Sequence, residues 1–577
     1  MLKNKIRYIS FFYLFALLGG AIFFIPAIFV NRFISAPELW MQIGICIGVS
    51  GYILLIKQKI FFEGKKIFCL IIMWMIYHIW RSKGNDDSEM SIMMSVVFFF
   101  LSYMILIRME NRKYLFVLCS LWTLILTLWG IGQFMRLLPS YNNSFVVTGP
   151  FDNPAGISAA LAILLPFSLY RFLQKKYRMM AIVEILLIIF VVILSQARAA
   201  LLSVFVVLIL FFIDFFKRNN IKLSIYCYAF ILVISFLLFI ILFLAKEDSA
   251  KGRLFIWKCS MELIVCKPVL GYGSTGFNAN YMNKQASYFL KYPNSEYAIF
   301  ADNVRHPFNE FLRWMVNYGI IGLCLTLLLI ILLLRISKKN RSEEMSAVRL
   351  SFFSIGTCAF FSYPFSYPFI RYIIVLFSAF VLATNTPRKG LIVIDGYLAK
   401  GIVVLFSFIF FGMTISRVLY EREWCKIAYK SSNGEAFEML PYYDAFYVHF
   451  RYKDLFLYNY ASILNVTKKY EKSLQIAREC ELLWMDYDLQ MLMADNYIHL
   501  KQYNNAEDHL EKAAAMCPVK FMPLYELVKL YIRMGKNEDA QVLARKILRK
   551  KIKIPSSYIN RIKYKMQNLE SLSNHLQ

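Results

Sequence analysis

The sequence predicts an all-α, polytopic membrane protein that ends in a helical solenoid. Three observations predict this fold class. Of the 577 residues, 59% are hydrophobic, which is more than a soluble globular chain contains. The hydrophobic residues gather into runs that are long enough to cross about 30 Å of hydrocarbon. After residue 416 these runs stop, and charged segments follow that repeat about every 33 residues.

The apolar runs predict about 12–13 transmembrane helices. We expect them near residues 8–30, 37–56, 67–81, 91–107, 114–138, 154–173, 179–197, 199–216, 222–245, 317–336, 346–363, 367–385 and 391–416. The first run follows a basic N-terminal segment, but no small-residue cleavage site follows it. We therefore interpret this run as the first span and not as a signal peptide.

Basic residues between the runs predict the orientation of the chain. Connectors rich in lysine and arginine alternate with poorer ones along the sequence. The positive-inside rule places the rich connectors and the N-terminus in the cytoplasm, so the polar loop 246–317 and the C-terminal tail face the opposite side. The net charge of +28 is spread over these short clusters and forms no separate basic stripe, which argues against nucleic-acid binding.

The same pattern divides the chain into four expected regions. They are N-terminal transmembrane helices at 1–245, a large polar loop at 246–317, C-terminal transmembrane helices at 318–416 and a helical domain at 420–577.

The C-terminal region resembles a tetratricopeptide array. Three similar segments align on Ser473, Ala506 and Ala540, at spacings of 33 and 34 residues, and this is the period of such repeats. Pro518 ends the second unit. A plain helical tail is the alternative interpretation. An array of this kind would offer a concave surface to a partner.

Residues that typically bind metals form no recognisable motif. The eleven cysteines include no CxxC pair and no zinc-ligand spacing. The carboxylates form no DxD motif beside a predicted span. We therefore expect neither a metal site nor a cofactor.

Two arginines beside predicted spans are candidates for anion binding. Arg198 lies in a short turn between two spans, ILSQARAALLS. A planar fork of donors held there suits a phosphate group, and an interfacial arginine that reaches towards water is the alternative. Arg253 opens the amphipathic stretch RLFIWKCSMELIVCKP, whose apolar residues we expect on the membrane surface. A plain surface charge is the alternative for Arg253.

The polar loop also contains a glycine-rich turn and a histidine. Gly271 and Gly273 in GYGSTGF permit a tight bend with exposed backbone N–H groups, although no Walker lysine follows. His306 lies in NVRHPFNEFL beside Arg305, whose charge would keep the ring neutral and able to accept a proton. A structural histidine at a helix start is the alternative.

These segments together resemble the O-antigen ligase superfamily, which includes O-antigen ligases, O-antigen polymerases and protein O-oligosaccharyltransferases. The resemblance is closest over 140–325. It rests on the turn GPFDNPAG, the segment SQARA, the run of Arg253, Trp257, Pro268, Gly271, Gly273 and Phe277, and the segment from His306 to Asn309 followed by YGIIGL. Two positions depart from the family pattern: Phe308 stands where histidine is frequent, and Asn317 stands where an acidic residue is usual.

The resemblance implies a metal-independent, inverting glycosyltransferase in the bacterial inner membrane, with its active site and C-terminal domain facing the periplasm. The donor would be a glycan on undecaprenyl diphosphate, and the acceptor a hydroxyl of lipid A–core or of a protein Ser or Thr. A protein partner could bind through the repeats. The implied roles are catalysis for His306, Arg198 and Arg253, donor diphosphate binding for Arg198, Arg253 and Arg305, and support for Gly271, Gly273, Asn309 and Asn153.

Other functions remain open at this point. A polysaccharide polymerase would use the same donor and another repeat unit as acceptor. A flippase of lipid-linked sugars would need internal repeats among the spans and discontinuous helices at mid-membrane, and neither is visible in the sequence. An envelope scaffold built on the repeats would leave the cost of Arg198 beside a span unexplained.

Overall fold

A computed structural model describes residues 2–574, apart from 56–59, 63–64, 83–85, 110–112, most of 222–246, 386–391 and 395–396. The predicted all-α class is confirmed. Within these residues the chain is helical except for turns, connecting segments and two three-residue strands. The strands β1 (Ile60–Phe62) and β2 (Ile392–Ile394) pair antiparallel, with Phe61 opposite Val393.

The chain is a multi-pass membrane protein, as predicted. Eight helices among the described residues are long and apolar enough to cross a membrane, and Ile9–Phe23 is a shorter apolar helix. The predicted span 222–245 lies mostly outside the described residues. The helices of this part are α1 (Leu2–Phe23), α2 (Ser35–Leu55), α3 (Lys65–Arg81), α4 (Asp86–Leu106), α5 (Tyr114–Phe134), α6 (Pro154–Phe172), α7 (Arg178–Ser195), α8 (Arg198–Arg218), α11 (Glu310–Ser337), α12 (Glu343–Phe361), α13 (Pro368–Asn385) and α14 (Tyr397–Ser432).

Helix α6 is the buried centre of the membrane part. Asn153 caps its N-terminus by accepting a hydrogen bond from the N–H of Ala155 at 2.9 Å, and Pro154 occupies the first turn, where a missing N–H costs little. Small residues line the helix and let its neighbours approach closely. It contacts α5, α7, α8 and α12.

The polar loop folds into two helices, α9 (Glu247–Cys266) and α10 (Gly276–Lys291). We expected the apolar residues of the stretch that begins at Arg253 to lie on the membrane surface. This expectation is wrong for the face of α9 that packs inside the protein. Phe255 and Cys259 are buried, and the Phe255 ring lies 5.1 Å from that of Phe289 on α10. Leu254 and Val265 are exposed, so only this second face could meet lipid.

Eight helices follow in the C-terminal part: α15 (Ala436–Phe450), α16 (Asp454–Val466), α17 (Tyr470–Glu481), α18 (Tyr487–His499), α19 (Tyr503–Met516), α20 (Met522–Arg533), α21 (Asn537–Arg549) and α22 (Ser557–Asn574). Successive helices contact each other, and their apolar faces form a common core. The tetratricopeptide assignment stays a prediction. The expected boundary near residue 416 lies inside the continuous helix α14.

Helix α11 breaks at Gly319, where φ is 63° and ψ is −169°. The segment after α9 fits into this break. The N–H of Ile320 donates to the carbonyl oxygen of Pro268 at 2.8 Å, and a Cβ on Gly319 would lie 2.1 Å from the carbonyl oxygen of Val269. A residue with a side chain would have to move the backbone of the polar loop.

We predict that Gly319→Ala destabilises the protein by more than about 1 kcal/mol, because the conformation and the close contact both exclude a side chain. The apparent melting temperature of the detergent-purified protein should fall. Gly356→Ala is the matched control, since a Cβ at Gly356 in α12 has nothing within 4 Å and alanine favours a helix. Equal melting temperatures for the two variants would contradict the prediction.

Candidate functional site

The backbone of the glycine-rich turn forms hydrogen bonds with the break in α11. The N–H of Tyr272 donates to the carbonyl oxygen of Val316 at 2.9 Å, and the N–H of Gly273 donates to that of Asn317 at 2.8 Å. A Cβ on Gly271 would lie 2.6 Å from the Asn317 carbonyl. The N–H groups of Tyr272 and Gly273, which we expected to be exposed, are therefore occupied, because α11 leaves unpaired carbonyls at its break.

The hydrogen bonds of Asn317 explain why an amide side chain suits this position. Its Oδ1 accepts a hydrogen bond from the N–H of Phe277 at 2.9 Å, and its Nδ2 donates to the carbonyl oxygen of Ser274 at 2.6 Å. A carboxylate could accept but not donate. The departure from the acidic residue of the family therefore has a structural reason in this chain.

Arg198 lies at the start of α8, after a turn that a hydrogen bond from α6 holds in place. Ser158 on α6 donates to the Ser195 hydroxyl at 2.8 Å, and Gln196 adopts the left-handed conformation with φ 55°. The Arg198 guanidinium donates to the Ser249 hydroxyl on α9 at 2.8 Å. The turn thus directs this charge towards the polar loop.

Arg253 lies beside Arg198. Burial, and then the charge of Arg198, lower the pKa of Arg253 to about 10, so the guanidinium remains charged near neutral pH. It donates to the carbonyl oxygen of Phe361 at 2.8 Å and lies 5.0 Å from the centroid of the Phe308 ring. Two guanidinium groups in one place favour an anionic ligand.

Two aromatic rings connect His306 to Arg253. Its ring stacks on Tyr363 with centroids 4.3 Å apart, and Tyr363 also contacts the Phe308 ring, over which Arg253 lies. Nδ1 of His306 is buried without a hydrogen-bond partner among the described residues. Burial, and then the charges of Arg313 and Arg305, lower the pKa of His306 to about 3. The ring is therefore neutral near pH 7, as the sequence predicted.

Sequence reasoning missed the residues that surround His306 from other parts of the chain. Tyr363 and Tyr367 lie between α12 and α13, and their rings stack at 6.2 Å. Asp152 precedes α6, and burial raises its pKa while Tyr367 hydrogen-bonds to it. The tandem repeat SYPFSYPF, which lies on the same predicted side as the polar loop, was a signal that could have indicated the two tyrosines.

The remaining candidates have supporting or separate positions. Asn309 caps α11 by accepting from the N–H of Leu312 at 3.0 Å, so it fixes the end of the His306 segment. Asn153 caps α6, as described above. The guanidinium of Arg305 lies 4.1 Å from the centroid of the Trp484 ring, so it contacts the C-terminal helices.

The polar loop and the C-terminal helices share one apolar core. Gln285 on α10 donates to the carbonyl oxygen of Met516 at 2.6 Å and is buried. The N–H of Met485 donates to the carbonyl oxygen of Asn278 at 3.0 Å. The C-terminal helices therefore hold the loop that carries Arg253 and His306.

Comparison with known proteins identifies the region that contains this site. Residues 183–327 match the O-antigen ligase family. This part of the chain is similar to O-antigen ligases. The resemblance that the residues predicted is thereby confirmed, and Arg198, Arg253 and His306 lie inside the matched region. Asp152, Tyr363 and Tyr367 lie outside it.

Two curated relatives are putative polysaccharide ligases. The one from Rickettsia felis is 32% identical over 111 residues, which cover 19% of this chain and 26% of the relative. The one from Rickettsia conorii is 30% identical over 122 residues, which cover 20% of this chain and 28% of the relative. The chain thus spans about a quarter of the length of the curated relatives it matches.

We predict that Gln285→Leu loosens the polar loop from the C-terminal helices. The change leaves the carbonyl oxygens of Met516 and Asp302 without the donor that they share, and an unsatisfied buried group costs about 1–3 kcal/mol. The apparent melting temperature should fall, and protease should release the C-terminal helices earlier. Gln502→Leu, at an exposed position, is the control. An unchanged protease pattern for Gln285→Leu would contradict this role.

Proposed function

We propose that this protein transfers a glycan en bloc from undecaprenyl diphosphate to an acceptor hydroxyl, at the periplasmic face of the bacterial inner membrane. The acceptor is lipid A–core or a protein Ser or Thr. One observation carries the proposal: Arg198 and Arg253, inside the region that matches the O-antigen ligase family, lie together, and the rings of Phe308 and Tyr363 connect Arg253 to the neutral ring of His306. Cations and a proton acceptor are what a diphosphate leaving group and a hydroxyl nucleophile require.

The two arginines would bind the donor diphosphate. When the bond between the anomeric carbon and the diphosphate oxygen breaks, the electron pair stays on that oxygen. Fixed guanidinium groups stabilise this charge as it develops, so the leaving group needs no proton. The proposal assigns the neutralisation of this charge to the guanidinium groups.

His306 would accept the proton of the acceptor hydroxyl. The oxygen then forms the new bond at the anomeric carbon, opposite the leaving diphosphate, and the configuration inverts. A pKa of about 3 makes the free ring a weak base. A bound diphosphate would raise this pKa, because its negative charge opposes the charges of Arg313 and Arg305. Donor binding would thus prepare the base for its proton.

The first test is a transfer assay with purified protein and undecaprenyl-diphosphate glycan, with and without chelator. The acceptors are lipid A–core, a Ser/Thr-bearing envelope protein, and the donor alone. We expect chelator-resistant product on lipid A–core or on the protein. Product with the donor alone would identify a polymerase, and donor binding without any transfer would contradict the proposal.

Substitutions of the three residues sharpen this test. Arg198→Ala, Arg253→Ala and His306→Ala should each leave the membrane level unchanged and lower transfer by at least about 100-fold. Lys291→Ala removes an exposed cation of α10 and should keep full activity. Normal product from the three variants would contradict the site assignment.

The pH profile provides a separate prediction. Since the pKa of free His306 is about 3, kcat/KM should stay flat between about pH 5 and pH 7. An ordinary histidine would make kcat/KM fall below about pH 6.5. Tyr363→Ala opens the ring to water and should restore that fall. A decrease centred near pH 6.5 in the unmodified protein would contradict the buried, neutral ring.

A further inference from the structure

A groove runs between the polar loop and the C-terminal helices, on a surface that the proposed reaction does not use. Its volume is about 890 Å³, which is in the upper range of ligand-binding clefts. One wall is the end of α10 with the segment that follows it. The other wall is formed by α19, α20 and α21.

The centre of the groove is apolar. Its floor includes the buried side chains of Phe289, Leu524 and Leu527. Leu290 on the loop wall is 64% exposed, and Val542 on the opposite wall is 66% exposed. Covering two such side chains from both sides is favourable by roughly 25 cal/mol for each Å² removed from water, so the groove suits an apolar anchor.

The rim of the groove is basic. Arg545, Lys546 and Arg549 lie on one face of α21, and Lys550 follows the end of this helix. Burial lowers the pKa of Lys550 to about 8. One carboxylate, that of Glu511, also lines the groove, and burial followed by the charges of Glu507 and Asp508 raises its pKa. The potential in the groove is therefore positive, and it attracts acidic groups.

We propose that this groove is the docking site of an acidic polypeptide segment with apolar anchor residues, supplied by a partner protein. An apolar centre with a charged rim is the usual anatomy of a protein interface. The concave shape favours a peptide over a membrane surface, because Leu290 and Val542 belong to two different walls of the groove. The inference does not depend on the proposed transfer reaction.

Selection from a phage-displayed library of random peptides of about twelve residues tests this site. The full chain is used in phosphatidylcholine nanodiscs. We expect enriched peptides to combine Asp or Glu with Leu, Ile or Phe. An enriched peptide, synthesised with a fluorophore, should bind at least about tenfold more weakly to the double variant R545E/R549E than to the unmodified chain. Its binding to Leu290→Asp should be weakened to a similar extent.

Matched controls separate the groove from general surface effects. Arg561→Glu reverses an exposed charge on α22, and Leu482→Asp changes an apolar residue that is 74% exposed elsewhere. Both should keep the affinity of the unmodified chain. The proposal is overturned if no peptide is enriched, if the enriched peptides lack acidic residues, or if the groove variants bind as the controls do. Displacement of the peptide by phosphatidylglycerol vesicles but not by phosphatidylcholine vesicles would also overturn it, in favour of a lipid headgroup.

Discussion

The site depends on the break in α11. A membrane-spanning helix that changes direction leaves backbone carbonyls and N–H groups without partners, and these are costly unless something else satisfies them. The segment after α9 supplies the partners, through Pro268, Tyr272 and Gly273. The break also fixes the point at which the polar loop joins the membrane helix α11. Gly271 of the turn serves this contact, because a Cβ there would lie 2.6 Å from the Asn317 carbonyl.

Arg253 and His306 are held by aromatic rings and a backbone carbonyl. Arg253 lies over Phe308 and bonds to a backbone oxygen, and His306 stacks on Tyr363. A ring holds a cation in place while leaving its charge available, and this arrangement suits the anionic ligand that we propose.

The sequence predicted the elements that depend on local patterns. Apolar runs predicted the membrane helices, and the loop motifs brought Arg198, Arg253 and His306 into one hypothesis before their contacts were known. Contacts between distant segments were not predictable in this way. Tyr363 and Asp152 reach the site from other connectors, and no periodicity within their own segments specifies which ring meets His306. The direction of Arg305 was also not predictable, because neighbours in an extended segment point to different sides.

Helix α14 gives the molecule a fixed geometry outside the membrane. Its 36 residues measure about 54 Å at 1.5 Å per residue, of which about 30 Å covers the hydrocarbon. The helix is therefore longer than this thickness, and α15 begins only a few residues after its end. A partner that binds to the C-terminal helices is therefore held at a fixed distance from the membrane part. The distance between the membrane part and the C-terminal helices is therefore set by the length of a continuous helix and not by a flexible linker.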